Sequence, residues 1–223
     1  MLKIRNIADL DVFESPPAHW PPKEHYANQH AVRRDQCEAL RELLAMRASE
    51  RAIEQFLADN REVLALVAFL YSTGHHAAWI YPKHQLRPPP GSPGGIIPDY
   101  VLAGANSDGV RWFILELKGA NHSAFVLEGK RVSLSRYATK GVCQLLSYMD
   151  VATRSQGYLR DEIKLTGFRE PRGILMIGTE EESSNENVRE FKGAWNRMNP
   201  HLQIRSYSAL LRMVEAKLRD FRR

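Results

Sequence analysis

The chain has 223 residues, 43% of them hydrophobic and 26% charged, which is enough to bury the core of one domain and too apolar for a disordered chain. Its two cysteines, Cys37 and Cys143, lack the spacing of a zinc site or a CxxC pair, which argues against a disulfide scaffold and fits a reducing cytoplasm. A formal charge of +5 permits contact with nucleic acid, no apolar run reaches spanning length, and MLKIRNIADLDVFE lacks a signal-peptide core, so a soluble protein is expected.

Residues 1–34 form a proline-rich lead-in, with Pro16-Pro17 and Pro21-Pro22 working against regular structure, and a single domain is expected over 35–223. His19 and His25 within the lead-in have no metal-ligand spacing. Over 31–71, Leu40, Leu43, Leu44, Ile53, Phe56, Leu57, Leu64, Val67 and Leu70 recur every three or four residues and predict helix, with Ser49 as a start and Asn60 as a break. Glu50 and Glu54 lie one turn apart on the edge that carries Ile53 and Leu57. A carboxylate there is costly to bury without a proton donor or a cation. Glu54 reads as a solvated helix charge, whereas Glu50 fits either role.

His76–Tyr81 predicts a strand, and PPPGSPGG a loop without the helix that a phosphate-cradling loop requires. Next comes IIPDYVLAGANSDGVRWFILELK, residues 96–118, which reads as two β-prone runs (the first beginning at Ile96) around the turn Asn106–Gly109. Strand alternation puts Glu116 and Lys118 on one side and Leu117 on the other. If the runs pair antiparallel, Asp99 lies across from that pair. Two carboxylates on one face repel unless a cation sits between them, and an oxygen-rich set suits magnesium or manganese. On residues alone, the hairpin fits either such a site or an ordinary solvated strand end.

Beyond Lys118, Phe125–Leu127 and Val132–Leu134 predict a small hairpin carrying Lys130 and Arg131, with Arg136 just after it; these are candidates for phosphate contact or simple solvation. YATKGVCQLLSYMDVA, residues 137–152, predicts a helix on which Lys140, Gln144 and Tyr148 share a face. The run 173–178, GILMIG, reads as a strand buried on both faces. A helix over Asn187–Met198, a strand over Leu202–Tyr207 and a helix started by Ser208 follow, with a basic end at Lys217, Arg219, Arg222 and Arg223. This order predicts an α/β fold, a mixed central sheet with helices on both faces.

Pro98-Asp99 followed by Glu116-Leu117-Lys118 resembles the PD-(D/E)xK nuclease motif, and the element order resembles a restriction-endonuclease-like core. SERAIEQFLADNREVL, IPDYVL, WFILELKGA, TKGVCQLLSY, RGILMIGTE and FKGAWNRMNPHLQIRSYSALL, in that order over roughly 45–218, resemble the Shedu family (DUF4263) of anti-phage nucleases. The resemblance implies a Mg2+-dependent endonuclease, with Mn2+ able to substitute, acting on DNA and working as a homo-oligomer, dimer or tetramer. It implies Asp99, Glu116 and the Leu117 carbonyl as metal ligands. Glu50 completes the site, Lys118 handles the attacking water, and Gln144, with Tyr148 behind it, orients the lysine and phosphate. Lys130, Arg131, Arg136, Lys140 and Tyr148 are then the expected nucleic-acid contacts. The short lead-in departs from larger members, which carry N-terminal regulatory domains. The rival expectation is a nuclease fold that only binds nucleic acid or a partner protein. A small-molecule hydrolase has no support: there is no GxSxG, and neither cysteine has a histidine nearby.

Overall fold

A computed structural model of the chain describes residues 20–71, 77–86, 90, 95–180 and 185–220. The expectations for residues 1–19, for His76, for nearly all of PPPGSPGG, and for Arg222 and Arg223 lie outside these. The helical region resolves into α1 (Arg34–Ala45), α2 (Glu50–Asp59) and α3 (Arg61–Tyr71). Ser49 caps α2 by accepting the Ala52 N–H, and Asn60 separates α2 from α3. The lead-in is more regular than its prolines suggest: Tyr26–Ala27, β1, pairs with β2 (Ala77–Pro82), and Trp20 packs edge-on against Trp79.

β2 pairs antiparallel with β3 (Tyr100–Asn106), and β3 with β4 (Gly109–Leu117). The turn between β3 and β4 is built as its sequence predicts: the Asn106 side chain accepts the Asp108 N–H, and Gly109 takes φ +113°. The first run was expected to begin pairing at Ile96, but β3 starts only at Tyr100. Pro98 has no N–H to give a ladder, so Ile96 makes just an isolated bridge to Leu86 and Asp99 stands ahead of the strand.

The small hairpin forms as β5 (Phe125–Glu128) and β6 (Arg131–Leu134). Then α4 (Arg136–Arg154) and a short α5 (Gln156–Asp161) carry the chain to β7 (Arg172–Met176), parallel to β4. After α6 (Glu186–Met198), β8 (Leu202–Arg205) adds in parallel to β7, and α7 (Tyr207–Asp220) completes the described fold. The last strand stops two residues earlier than expected. Ser206 accepts the Ala209 N–H, so it caps α7 in the role expected of Ser208 and Tyr207 becomes helical.

The main sheet has the order β1-β2-β3-β4-β7-β8, antiparallel through β4 and parallel beyond it, with helices on both faces. One face, with Ile80, Leu102, Phe113, Leu115 and Met176, packs on α1, α2, α3 and α7. The other, with Trp79, Val101, Trp112, Ile114 and Leu175, packs on α4, α5 and α6. Burial of both faces explains why β4 and β7 read as continuous apolar runs. The alternation has a chemical consequence, because Glu116 shares the parity of Trp112 and Ile114 and must face the α4 side.

Candidate active site

β4 occupies the middle of the sheet, and its C-terminal end meets the start of β3, the end of β2 and the N-terminus of α2. Gly119, just beyond β4, permits this approach: a Cβ there would lie 3.0 Å from the Glu50 backbone nitrogen and closer still to the Asn121 side chain. Asn121 also donates its N–H to the Ala48 carbonyl. The loop leaving β4 is thereby fastened to the turn that starts α2.

Glu116 is only 4% exposed and Lys118 only 5%. The Lys118 ammonium donates to Glu116 Oε1 at 2.7 Å and to the Leu117 carbonyl at 2.9 Å, and it lies 3.7 Å from Glu50 Oε2. Asp99 sits beside them: its Oδ2 accepts the Leu117 N–H at 2.8 Å, and its Oδ1 accepts from Lys83 at 2.7 Å. Lys83 in turn reaches Glu54 Oε1 at 2.7 Å. Burial first, and then the Asp99 carboxylate, push the Glu116 carboxyl above its ordinary range; Lys118 pulls it back and Glu50 adds to the rise. The same groups that the hairpin motif singled out therefore share one electrostatic neighbourhood.

α4 supplies the far wall. Gln144 and Tyr148, one turn apart, are hydrogen-bonded to each other, and burial raises the Tyr148 phenol with Glu116 adding to it. Gln144 Oε1 is buried without a hydrogen-bond partner among the described residues. Behind the site, the Tyr207 hydroxyl, fully buried, donates to the Lys118 carbonyl at 2.7 Å. That bond ties α7 to the residue whose side chain spans the cluster.

The basic residues divide. Arg136 lies over the Tyr137 ring at 4.6 Å, and Tyr137 stacks at 3.5 Å on His122, whose ring feels Glu50 and Lys118. Arg136 is therefore joined to the cluster through two rings. Lys130 and Arg131 lie at the exposed β5–β6 turn, and Lys140 is exposed on α4; no hydrogen bond or ion pair connects them to the cluster among the described residues. Lys130 instead lines a surface groove with Val132, Phe191, Arg189 and Arg197 of α6.

Sequence reasoning passed over Lys83, His122 and Tyr207, and it read Glu54 as merely solvated. A signal existed for Lys83. It is the first charge after the β2 run, and extending the β2–β3 register by one step from Pro82 opposite Tyr100 brings it opposite Asp99.

The donor set suits a divalent ion. Four carboxylates (Glu50, Glu54, Asp99, Glu116) against two ammonium groups (Lys83, Lys118) leave two negative charges, the deficit that one divalent cation fills. The unpartnered Gln144 oxygen on the adjoining wall adds a neutral acceptor. As the side chains stand, the Lys118 ammonium lies between Glu116 and the Leu117 carbonyl, and no three acidic, histidine or cysteine side chains among the described residues clasp one point. An ion bound there would take over contacts that the two lysines now hold.

Compared with known proteins, residues 47–211 match the family model described as the Shedu protein SduA, C-terminal. The span runs from the turn before α2 into α7 and takes in every member of the cluster. No curated protein matches the chain.

Proposed function

Because the chain belongs to the Shedu SduA C-terminal family, we propose that it is a PD-(D/E)xK endonuclease that uses a divalent ion to hydrolyse phosphodiester bonds of DNA in anti-phage defence. One observation carries the reading: Asp99, Glu116 and Lys118 converge at one end of the sheet, in a cluster where four carboxylates outnumber two ammonium groups by two charges.

Asp99, Glu116 and the Leu117 carbonyl would hold Mg2+, or Mn2+ in its place. When bound, the ion supplies Lewis-acid stabilisation of the phosphoryl oxygens and acidifies a water. Lys118 orients the attacking water and offsets charge that grows on the phosphate in the transition state. Its aim is fixed by Tyr207 on its carbonyl and Glu116 on its ammonium. Glu50, at the start of α2, receives the far side of Lys118, and Gln144 with Tyr148 orients the lysine and phosphate from α4. Arg136, Lys140, Lys130 and Arg131 would give salt-dependent, sequence-independent affinity for the DNA backbone. A homo-oligomer, dimer or tetramer, would bring two such centres to two strands. Among the described residues, no helix is long and apolar enough to cross a membrane.

The test is plasmid DNA incubated with the purified chain and Mg2+ or Mn2+, with and without chelator, beside a mass measurement in solution. Nicking or cutting is expected only with the ion. Asp99→Ala and Lys118→Met should each lower it about a thousandfold or more while circular dichroism stays unchanged. Lys118→Met keeps most of the side-chain bulk, so unchanged circular dichroism separates loss of the ammonium from loss of the fold. DNA binding with no cleavage under either ion would favour the binding-module reading, and full cleavage by both variants would remove these residues from the chemistry.

A further inference from the structure

Lys83 belongs to no motif, and although its side chain is half exposed it is held to the cluster at three points. Its ammonium is 2.7 Å from both Asp99 Oδ1 and Glu54 Oε1, and its own N–H donates to the Asp99 carbonyl at 3.0 Å. Its backbone takes φ +44°, a left-handed conformation that is uncommon for a residue with a side chain. The main-chain bond holds the Lys83 turn against Asp99, and the ion pair sets the ammonium on the Asp99 carboxylate.

We propose that Lys83 is a tethered counter-ion of Asp99 that competes with the divalent ion and so sets how tightly the centre holds it. The inference rests on the nuclease reading above and deepens it. Asp99 has both oxygens engaged, one by the Leu117 N–H and one by Lys83. An arriving cation must share or displace the ammonium, and Glu54 decides how easily, because it offers Lys83 a second place to rest. Lys83 and Glu54 therefore act in opposite directions on the same property.

That opposition is the test. Mn2+ affinity is measured by titration calorimetry on the full chain without DNA, with thermal melts as the folding control. Lys83→Met, which keeps the side-chain bulk and removes the charge, should bind Mn2+ about fivefold to tenfold tighter, the effect of deleting one partly screened like charge beside the ion. Glu54→Gln leaves the ammonium wholly on Asp99 and should bind about as much more weakly. Lys83→Arg should return the affinity to that of the wild type. A merely structural role would weaken binding in both Lys83→Met and Glu54→Gln, and that result, or unchanged affinity in both, overturns the role given to Lys83 alone. If the wild-type chain binds no Mn2+, the nuclease reading falls and this inference with it.

Discussion

Two ion-pair clusters in this molecule both join carboxylates to side-chain cations and come out opposite. At the mouth of α7, Glu180 accepts from Arg212 at 2.7 Å and from the Ser206 hydroxyl at 3.1 Å, with Lys192 3.9 Å away. One carboxylate meets two cations, and the hydrogen bond from Arg212 holds it below the usual carboxylate range. At the end of β4, four carboxylates meet two cations, and burial with Asp99 holds Glu116 above that range. The first arrangement is satisfied by the protein alone and serves as a clamp, fastening the β7 exit to α7. The second is left short of positive charge, which is wasteful in a clamp and useful in a site that must admit a cation.

The sharpest way to break this contrast is Glu116→Gln. Cleavage should fall by a factor on the order of a hundred or more, while the ion-free protein melts higher at pH 7. The sign follows from the raised folded-state pKa: ionising Glu116 costs the folded chain more than the unfolded one, so stability is complete below the ordinary glutamate value and is lost as pH climbs through the raised one. Glutamine mimics the neutral form, so its advantage should be present at pH 7 and vanish in acid. A lower melting temperature at pH 7 would mean that the Lys118 pair, rather than the charge deficit, governs this end of the sheet.

Gly141→Ala comes next in size. A Cβ at this position on α4 would sit 2.5 Å from a side-chain carbon of Leu175, which is fully buried. The substitution should cost about 1–3 kcal/mol by chemical denaturation. It should also slow cleavage, because α4 carries Gln144 and Tyr148; slowing without destabilisation would contradict the packing account.

Glu180→Gln is the smallest effect expected, about 1 kcal/mol or less for a pair whose Arg212 side chain is more than half exposed. Here the folded pKa is depressed, so the clamp's contribution is present above the ordinary carboxylate value and fades as pH falls through the lowered one. Melting curves of wild type and variant should therefore differ at pH 7 and converge in acid, with the variant lower. At neutral pH the two glutamate substitutions move stability in opposite directions, and cleavage should respond only to the first.

How much of this could be read from sequence depended on chain distance. Glu116 and Lys118 alternate within one strand, and Asp99 is their hairpin partner, so local β periodicity brought the three together. The helices followed from their apolar spacing and from Ser49. Boundaries failed where a single residue overrode periodicity, as Pro98 did in delaying β3 and Ser206 in ending β8 early. Lys83, Glu54 and Tyr207 join the cluster only through tertiary contact between separate segments. Nothing in a glutamate on a helix edge says that a lysine just beyond β2 will reach it. Lys130 and Arg131 show the converse: a basic turn is easy to spot, but its distance from the cluster depends on how β5 and β6 pack against α6.

The Tyr207 hydroxyl has a consequence for the timing of synthesis. Translation releases Glu50, Asp99, Glu116 and Lys118 well before Tyr207, yet the Lys118 carbonyl has no hydroxyl to fix it until α7 has cleared the ribosome and docked. From the synthesis of Glu116 until α7 docks, a nascent chain therefore carries Glu50, Asp99 and Glu116 without the finished arrangement that they form around Lys118.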